Sequence, residues 1–353
     1  SRDPYEFMRS WLNDWENASE VGPAFAPVTP RPALRRLLVD AWLSASGVPS
    51  SNAVTEYGDA SGYATGDAPQ PPAPSDEGVP SWQYAPFRLI AIVNRVDLAS
   101  NACGGYPGEL RYVYAAIDPM TSRPLDVTVI LEVPYPTTRT AAEWARAWRE
   151  LADLPDAAYA EGLARLTREV RADADPLRAR LRSNEVAFAN ADEPSWEMRE
   201  FQLQVVDAEL ALAQVPLEFT PRADADPAAL SAYVLEHADE IEGSGARLPD
   251  DLRAGAASID TADFSWSVLG VSERLRRSFS VQTCNGCHGG DTEALPFRHI
   301  GPGVSLDSPA RVSRYLYDPD ATSDELRRRS GVLDTLTATA CDTPVDSDGY
   351  ASE

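Results

Sequence analysis

Phe87-Arg88-Leu89-Ile90-Ala91-Ile92-Val93-Asn94, Leu110-Arg111-Tyr112-Val113-Tyr114-Ala115-Ala116-Ile117 and Asp126-Val127-Thr128-Val129-Ile130-Leu131-Glu132-Val133 follow one another along the chain. Each is rich in β-branched and aromatic residues, which suit a pleated, half-buried surface. Gly104-Gly105 and Asp118-Pro119 bring turn chemistry to the gaps, with no helix-length spacer between the strands. Three strands in an antiparallel meander are the expectation.

Working outward, a helical interlude is expected from Thr140 through about Arg182, with Trp144, Trp148 and Leu151 at spacings of 4 and 3. Strand character returns over 196–206 and 210–219. These pieces make one α+β domain, 86–222, whose sheet is completed across the helical excursion. Beyond Pro221 the pattern is helical and loop-like, with helices expected over 227–241, 272–282 and 323–339. On the other side, 1–48 reads as a helical segment, with helices over 4–17 and 32–44. A Pro/Gly-rich linker or arm, 49–85, follows it and includes Pro69-Gln70-Pro71-Pro72-Ala73-Pro74. The expected fold class is therefore α+β: an antiparallel-sheet-containing domain followed by a mainly helical C-terminal domain, 223–353.

The 353 residues are 43% hydrophobic and 24% charged, enough apolar material for packed cores. No apolar run approaches the roughly 20 residues of a membrane-spanning helix. Thirty-one basic residues against 55 acidic ones leave a net charge of −24, which excludes the basic footprint of a nucleic-acid binder and disfavours anionic membrane surfaces.

Four cysteines carry the chemistry. Cys284-Asn285-Gly286-Cys287-His288 is the C-x-x-C-H pattern of covalent c-type haem attachment. Two thiols three positions apart can reach two vinyl groups from one turn of chain, and the adjacent imidazole can bind iron. Cys284 and Cys287 are thus expected as thioether anchors and His288 as proximal ligand of one covalent haem c. Two other readings of the motif stay open: zinc held by Cys284, Cys287, His288 or His299 and one more ligand, and a Cys284–Cys287 disulfide or free thiols.

For the second axial position His299 is the expected distal ligand, 11 residues after His288, with a propionate contact or a structural role as its alternative. His237 reads as a surface helix residue, and Met120 and Met198 as core fillers; Met8 is the remaining methionine. Covalent haem implies export, so the remaining Cys103 and Cys341 are expected to pair in a disulfide. The chain begins Ser1-Arg2-Asp3-Pro4 without a signal-peptide pattern, and is read as a mature or truncated form. Acidic pairs such as Asp250-Asp251 and Asp239-Glu240 read as solvated surface. Asp346-Ser347-Asp348-Gly349 lacks the full spacing of a calcium loop.

Four groups of residues carry a family resemblance. They are Arg88-Leu89-Ile90-Ala91-Ile92-Val93-Asn94-Arg95-Val96-Asp97-Leu98, Arg182-Ser183-Asn184-Glu185, Trp196-Glu197-Met198-Arg199-Glu200-Phe201, and the run from Phe279 through Gly290 with Phe297-Arg298-His299-Ile300. With these the chain resembles exported bacterial monohaem c-type cytochrome-like proteins. The resemblance implies export and a single haem, and names no substrate.

The function expected from this reading is an exported monohaem c-type cytochrome transferring electrons, periplasmic or extracellular. Its expected partner is a redox protein or a larger extracytoplasmic complex, with oligomer formation as a further possibility. The alternatives are a haem enzyme or sensor with an open iron site, and a structural protein whose motif holds zinc or a disulfide.

Overall fold

Alternation along the three diagnostic strands sets up a sheet with two chemically different faces. The computed structural model describes residues 87–341 apart from 119–122, 191–192, 207–208, 244–246, 260–262, 293–296, 304–307 and 321–323. The expected N-terminal helices, the 49–80 stretch, Met8, Met120 and the 346–349 loop lie outside the described residues. Strands β1 (Phe87–Arg95), β2 (Glu109–Ile117) and β3 (Pro124–Pro134) form the expected antiparallel meander. It continues through β4 (Arg180–Asn190), β5 (Glu193–Val206) and β6 (Glu209–Val215) in sequential order.

One face is apolar. Leu110, Tyr112 and Val133 pack there with Trp144, Leu166 and Val170 of helices α1 (Ala141–Ala152) and α2 (Asp156–Asp173). A reciprocal cap starts α1: the Thr140 hydroxyl accepts from the Glu143 N–H at 3.2 Å, and the Thr140 N–H donates to Glu143 Oε2 at 2.7 Å. The helical stretch ends well short of Arg182. Pro176 biases Asp175 away from helical dihedrals, and β4 begins four residues later.

The other face explains why β4 escapes a hydrophobicity reading. Its Arg180, Arg182 and Asn184 point where apolar residues would be expected, and the arginines pair with carboxylates of neighbouring strands. Arg111 contacts Glu109 at 2.6 Å and Glu132 at 3.1 Å. Arg182 contacts Glu132 at 3.3 Å and Glu200 at 2.9 Å, and Arg180 bridges Glu200 at 2.9 Å to Glu218 at 2.7 Å. Burial alone would protonate Glu109, but Arg111 and Arg182 outweigh it and hold the carboxyl down at about 2.

The chain beyond residue 223 returns repeatedly to this sheet. Helices α3 (Pro227–Glu236) and α4 (Ala238–Glu242) break at His237 instead of forming one continuous helix. His237 is half-buried and bonded to Glu240 at 3.0 Å. Strand β7 (Ala257–Ile259) adds to β5, and helices α5 (Glu273–Ser280) and α6 (Cys284–Cys287) follow. The two-residue strands β8 (Ile300–Gly301) and β9 (Arg311–Val312) pair with each other. Helix α7 (Glu325–Ala338) crosses to the apolar face, where Leu336 joins the core around Trp144. Among the described residues no helix is long and apolar enough to cross a membrane.

Cys103 and Cys341 form a disulfide, with Cα atoms 5.4 Å apart and 238 positions between them in sequence. It ties the end of α7 to the β1–β2 connection. Closing so long a loop restricts the unfolded chain, so replacing both cysteines by serine should cost roughly 2–5 kcal/mol of stability. Denaturant unfolding of the oxidised protein and the double variant checks this. Peptide mapping without reductant should recover a Cys103–Cys341 cross-link, and two freely alkylated thiols would contradict it.

Candidate functional site

The Cys284–Cys287 turn forms its own short helix after a break at residues 281–283. Thr283 begins it. Its hydroxyl accepts from the Gly286 N–H at 3.0 Å and from Trp266 Nε1 at 2.9 Å, and donates to the Ser280 carbonyl at 2.7 Å. The Cys284 N–H donates to Thr220 Oγ1 at 2.9 Å. Gly286 is required here because a Cβ would lie 2.3 Å from the Ser280 carbonyl oxygen. Asp291 clamps the exit of the turn to α5, accepting from Arg276 Nη2 at 2.7 Å and Ser280 Oγ at 2.6 Å.

This scaffolding buries one side of the turn and leaves its chemistry on the other. Thr283, Asn285, Gly286 and Gly289 are buried, whereas Cys284, Cys287, His288 and His299 are only half-buried. The two thiols are free and not bonded to each other. Burial pushes both thiols up, Cys287 to about 12; at Cys284 the nearby Arg182 works against the rise. At neutral pH both are therefore protonated, which disfavours a reactive thiolate.

His288 is held on three sides. Its ring stacks on Trp196 with centroids 4.6 Å apart and planes 19° from parallel. Trp196 is fully buried in β5 and donates from Nε1 to Asn184 Oδ1 at 2.6 Å. On the second side lies His299, 4.9 Å away between ring centroids. The third contact sets the tautomer. Nδ1 lies 2.5 Å from the Phe297 carbonyl oxygen, which can only accept, so Nδ1 carries the proton and Nε2 keeps its lone pair. Phe297 presents that carbonyl from a left-handed backbone, φ 59°, which is strained for a bulky residue. Its buried ring packs with Trp196, Met198 and Leu217, and this anchoring holds the conformation in place.

His299 is brought beside the motif, but its Nε2 is occupied. It lies 2.9 Å from the Cys287 carbonyl oxygen and 3.3 Å from Cys287 Sγ, while Nδ1 faces Ser313 Oγ at 2.9 Å. Met198 fills the core beside Trp196, and His237 lies outside this set of contacts. Trp196, Phe297, Thr220 and Ser313 complete the site without having been singled out as site residues. Trp196 and Phe297 occur in the segments of the family resemblance, but nothing in a sequence marks a phenylalanine that will adopt positive φ.

The residues present are of the kind a covalent haem would use, two free thiols and an imidazole with a bare Nε2. Among the described residues no group of three or more His, Cys, Asp or Glu side chains is arranged to hold a metal ion. A porphyrin brings four nitrogen donors of its own, so one bare imidazole suffices on the protein side. His288 meets the usual condition for a metal-binding histidine, an outer hydrogen bond to a carbonyl that fixes the ring and its tautomer. Compared with family models, curated proteins and solved structures, the chain matches none.

Both imidazoles are held neutral. Burial, then the neighbouring His299, pushes His288 down to about 3; burial pushes His299 down to about 4. In an unfolded chain each would protonate near the ordinary value of about 6.5. Between these limits the unfolded state binds more protons, so stability falls as the pH drops. Haem-free protein carrying Cys284→Ser and Cys287→Ser should lose stability from about pH 6.5 to about pH 4, by up to roughly 1.4 kcal/mol per pH unit for each histidine. Urea unfolding across that range measures it. Adding His288→Ala and His299→Ala should flatten the profile, and an unchanged slope would refute the assignment.

Proposed function

We propose that the chain is an exported carrier of one covalently attached c-type haem, working in electron transfer. Cys284 and Cys287 would anchor the group through thioethers, and His288 Nε2 would bind iron. The observation that carries the reading is the tautomer of His288, whose Nδ1–H is committed to Phe297 at the end of a turn bearing two free thiols. When bound, the haem supplies a one-electron ferric/ferrous couple. Trp196 and Phe297 orient the imidazole, and the sheet beneath gives the turn a rigid floor. Export is supported by the Cys103–Cys341 disulfide, which persists in oxidising compartments. The net charge of −24 suits a redox partner or complex subunit that presents a basic surface.

His299 is the proposed second axial ligand. Its ring is already next to His288, and the Ser313 hydroxyl can accept from Nδ1–H as readily as it can donate, which would free Nε2 for iron. To ligate, Nε2 must leave the Cys287 carbonyl. That bond favours the second reading, an open iron site in a haem enzyme or sensor.

Two measurements test these roles. Protein made with a c-type maturation system should give a pyridine haemochrome spectrum with covalent haem mass. Cys284→Ser and Cys287→Ser together should return it to the bare polypeptide mass, and full haem mass in the double variant would overturn the proposal. His299→Ala should convert a low-spin spectrum to high-spin and admit carbon monoxide to the reduced iron. A high-spin wild type would favour the open site.

A further inference from the structure

Arg298 stands between the residue that orients His288 and the proposed second ligand, and its own partners are incomplete. Its side chain is 3% exposed, and Nη2 donates to Asp126 Oδ1 at 2.8 Å. Among the described residues Nε and Nη1 have no hydrogen-bond partner, although both are buried. Buried N–H groups without an acceptor are rare in native proteins, and these belong to a permanent cation. The backbone of Gly301 runs alongside, where a Cβ would lie 3.8 Å from Nε.

A second orphan lies on the same face of the sheet. Thr128, two positions along β3 from Asp126, has a buried hydroxyl that is also unpartnered. A buried cation with free N–H groups, held by a carboxylate two positions from an unpaired hydroxyl, calls for an anionic acceptor.

The sheet register places these groups along one face. Cys284 neighbours Arg182, which is opposite Ile130 in β3, and packs against the cluster of Val186, Trp196, Met198 and Phe297. Asp126, which holds Arg298, is four residues from Ile130, about 13 Å along β3 at roughly 3.3 Å per residue. His288 stacks on Trp196, which pairs with Val186 of β4 and so lies toward the Asp126 end. Arg298, which follows Phe297 of that cluster, therefore lies near the cysteine turn, where a flat ring fixed by sulfur at one edge would carry its carboxylates at another.

We propose that Arg298 is the carboxylate-binding residue of this site, its Nε and Nη1 donating to a haem propionate while Nη2 stays on Asp126. The proposal rests on the haem reading given above. Its test uses haem-loaded full chain: absence of covalent haem from the wild type would defeat that reading and this assignment together, whereas a failed result in loaded protein defeats the assignment alone. Removing a cation from a carboxylate of the haem favours the ferric form. Arg298→Gln, with covalent haem mass retained, should therefore shift the reduction equilibrium about tenfold toward oxidised protein, about 59 mV lower for one electron. It should also move the propionate bending band in the resonance Raman spectrum. Arg298→Lys keeps the charge and loses the geometry, so its band should move while its potential changes little. A propionate band unmoved in either loaded variant would overturn the proposal, even if the potential shifts.

Discussion

A chain of ion pairs between buried glutamates and half-buried arginines crosses one face of the sheet, and the rest of the architecture accommodates it. Glu109, Arg111, Glu132, Arg182, Glu200, Arg180 and Glu218 alternate in sign from β2 to the segment after β6. Removing so many charges from water is tolerable only when each has a partner in good geometry. The demand fixes strand register as firmly as an apolar face would, because a slip by one residue would turn every charge into the helical core. With that face polar, the helices α1, α2 and α7 gather on the other. The C-terminal chain has to cover the charges.

Covering them creates the site. The segment from Thr220 to His299 lays its short cysteine-bearing helix over this polar face, close to Arg182, and stacks His288 on Trp196 at the neighbouring apolar patch. Rigidity comes from backbone contacts more than from side-chain bulk. Thr283, Gly286 and Asp291 bind the turn to α5, and Phe297 spends conformational strain to offer one carbonyl. The result is an imidazole with a fixed tautomer beside two free thiols.

Much of this was legible in the residues alone. The three first strands declared themselves through β-branched runs and turn chemistry, and β1, β2 and β3 lie within two residues of their expected limits. Trp144, Trp148 and Leu151 marked α1. Cys103 and Cys341, left over once the Cys-x-x-Cys-His motif is set aside, were expected to pair, and they form a disulfide. What failed was instructive. Arg180-Leu181-Arg182 has no apolar face to reveal a strand, because its partners are glutamates on other strands. The 227–241 run reads as one helix, yet α3 ends at His237.

The sequence by itself thus determined the first three strands, the start of the helical layer and the coarse α+β class of the fold. Those properties depend on local periodicity, turn residues and spacing within one turn of chain. Only the tertiary structure decided which nitrogen of His288 is bare, where His299 points its ring and what lies beneath the motif. Each of these depends on groups far apart in sequence: Trp196 is 92 positions before His288, and a strained carbonyl follows it at Phe297. A proton's location on an imidazole is set by whichever acceptor the folded chain brings to it, and no local pattern encodes that meeting.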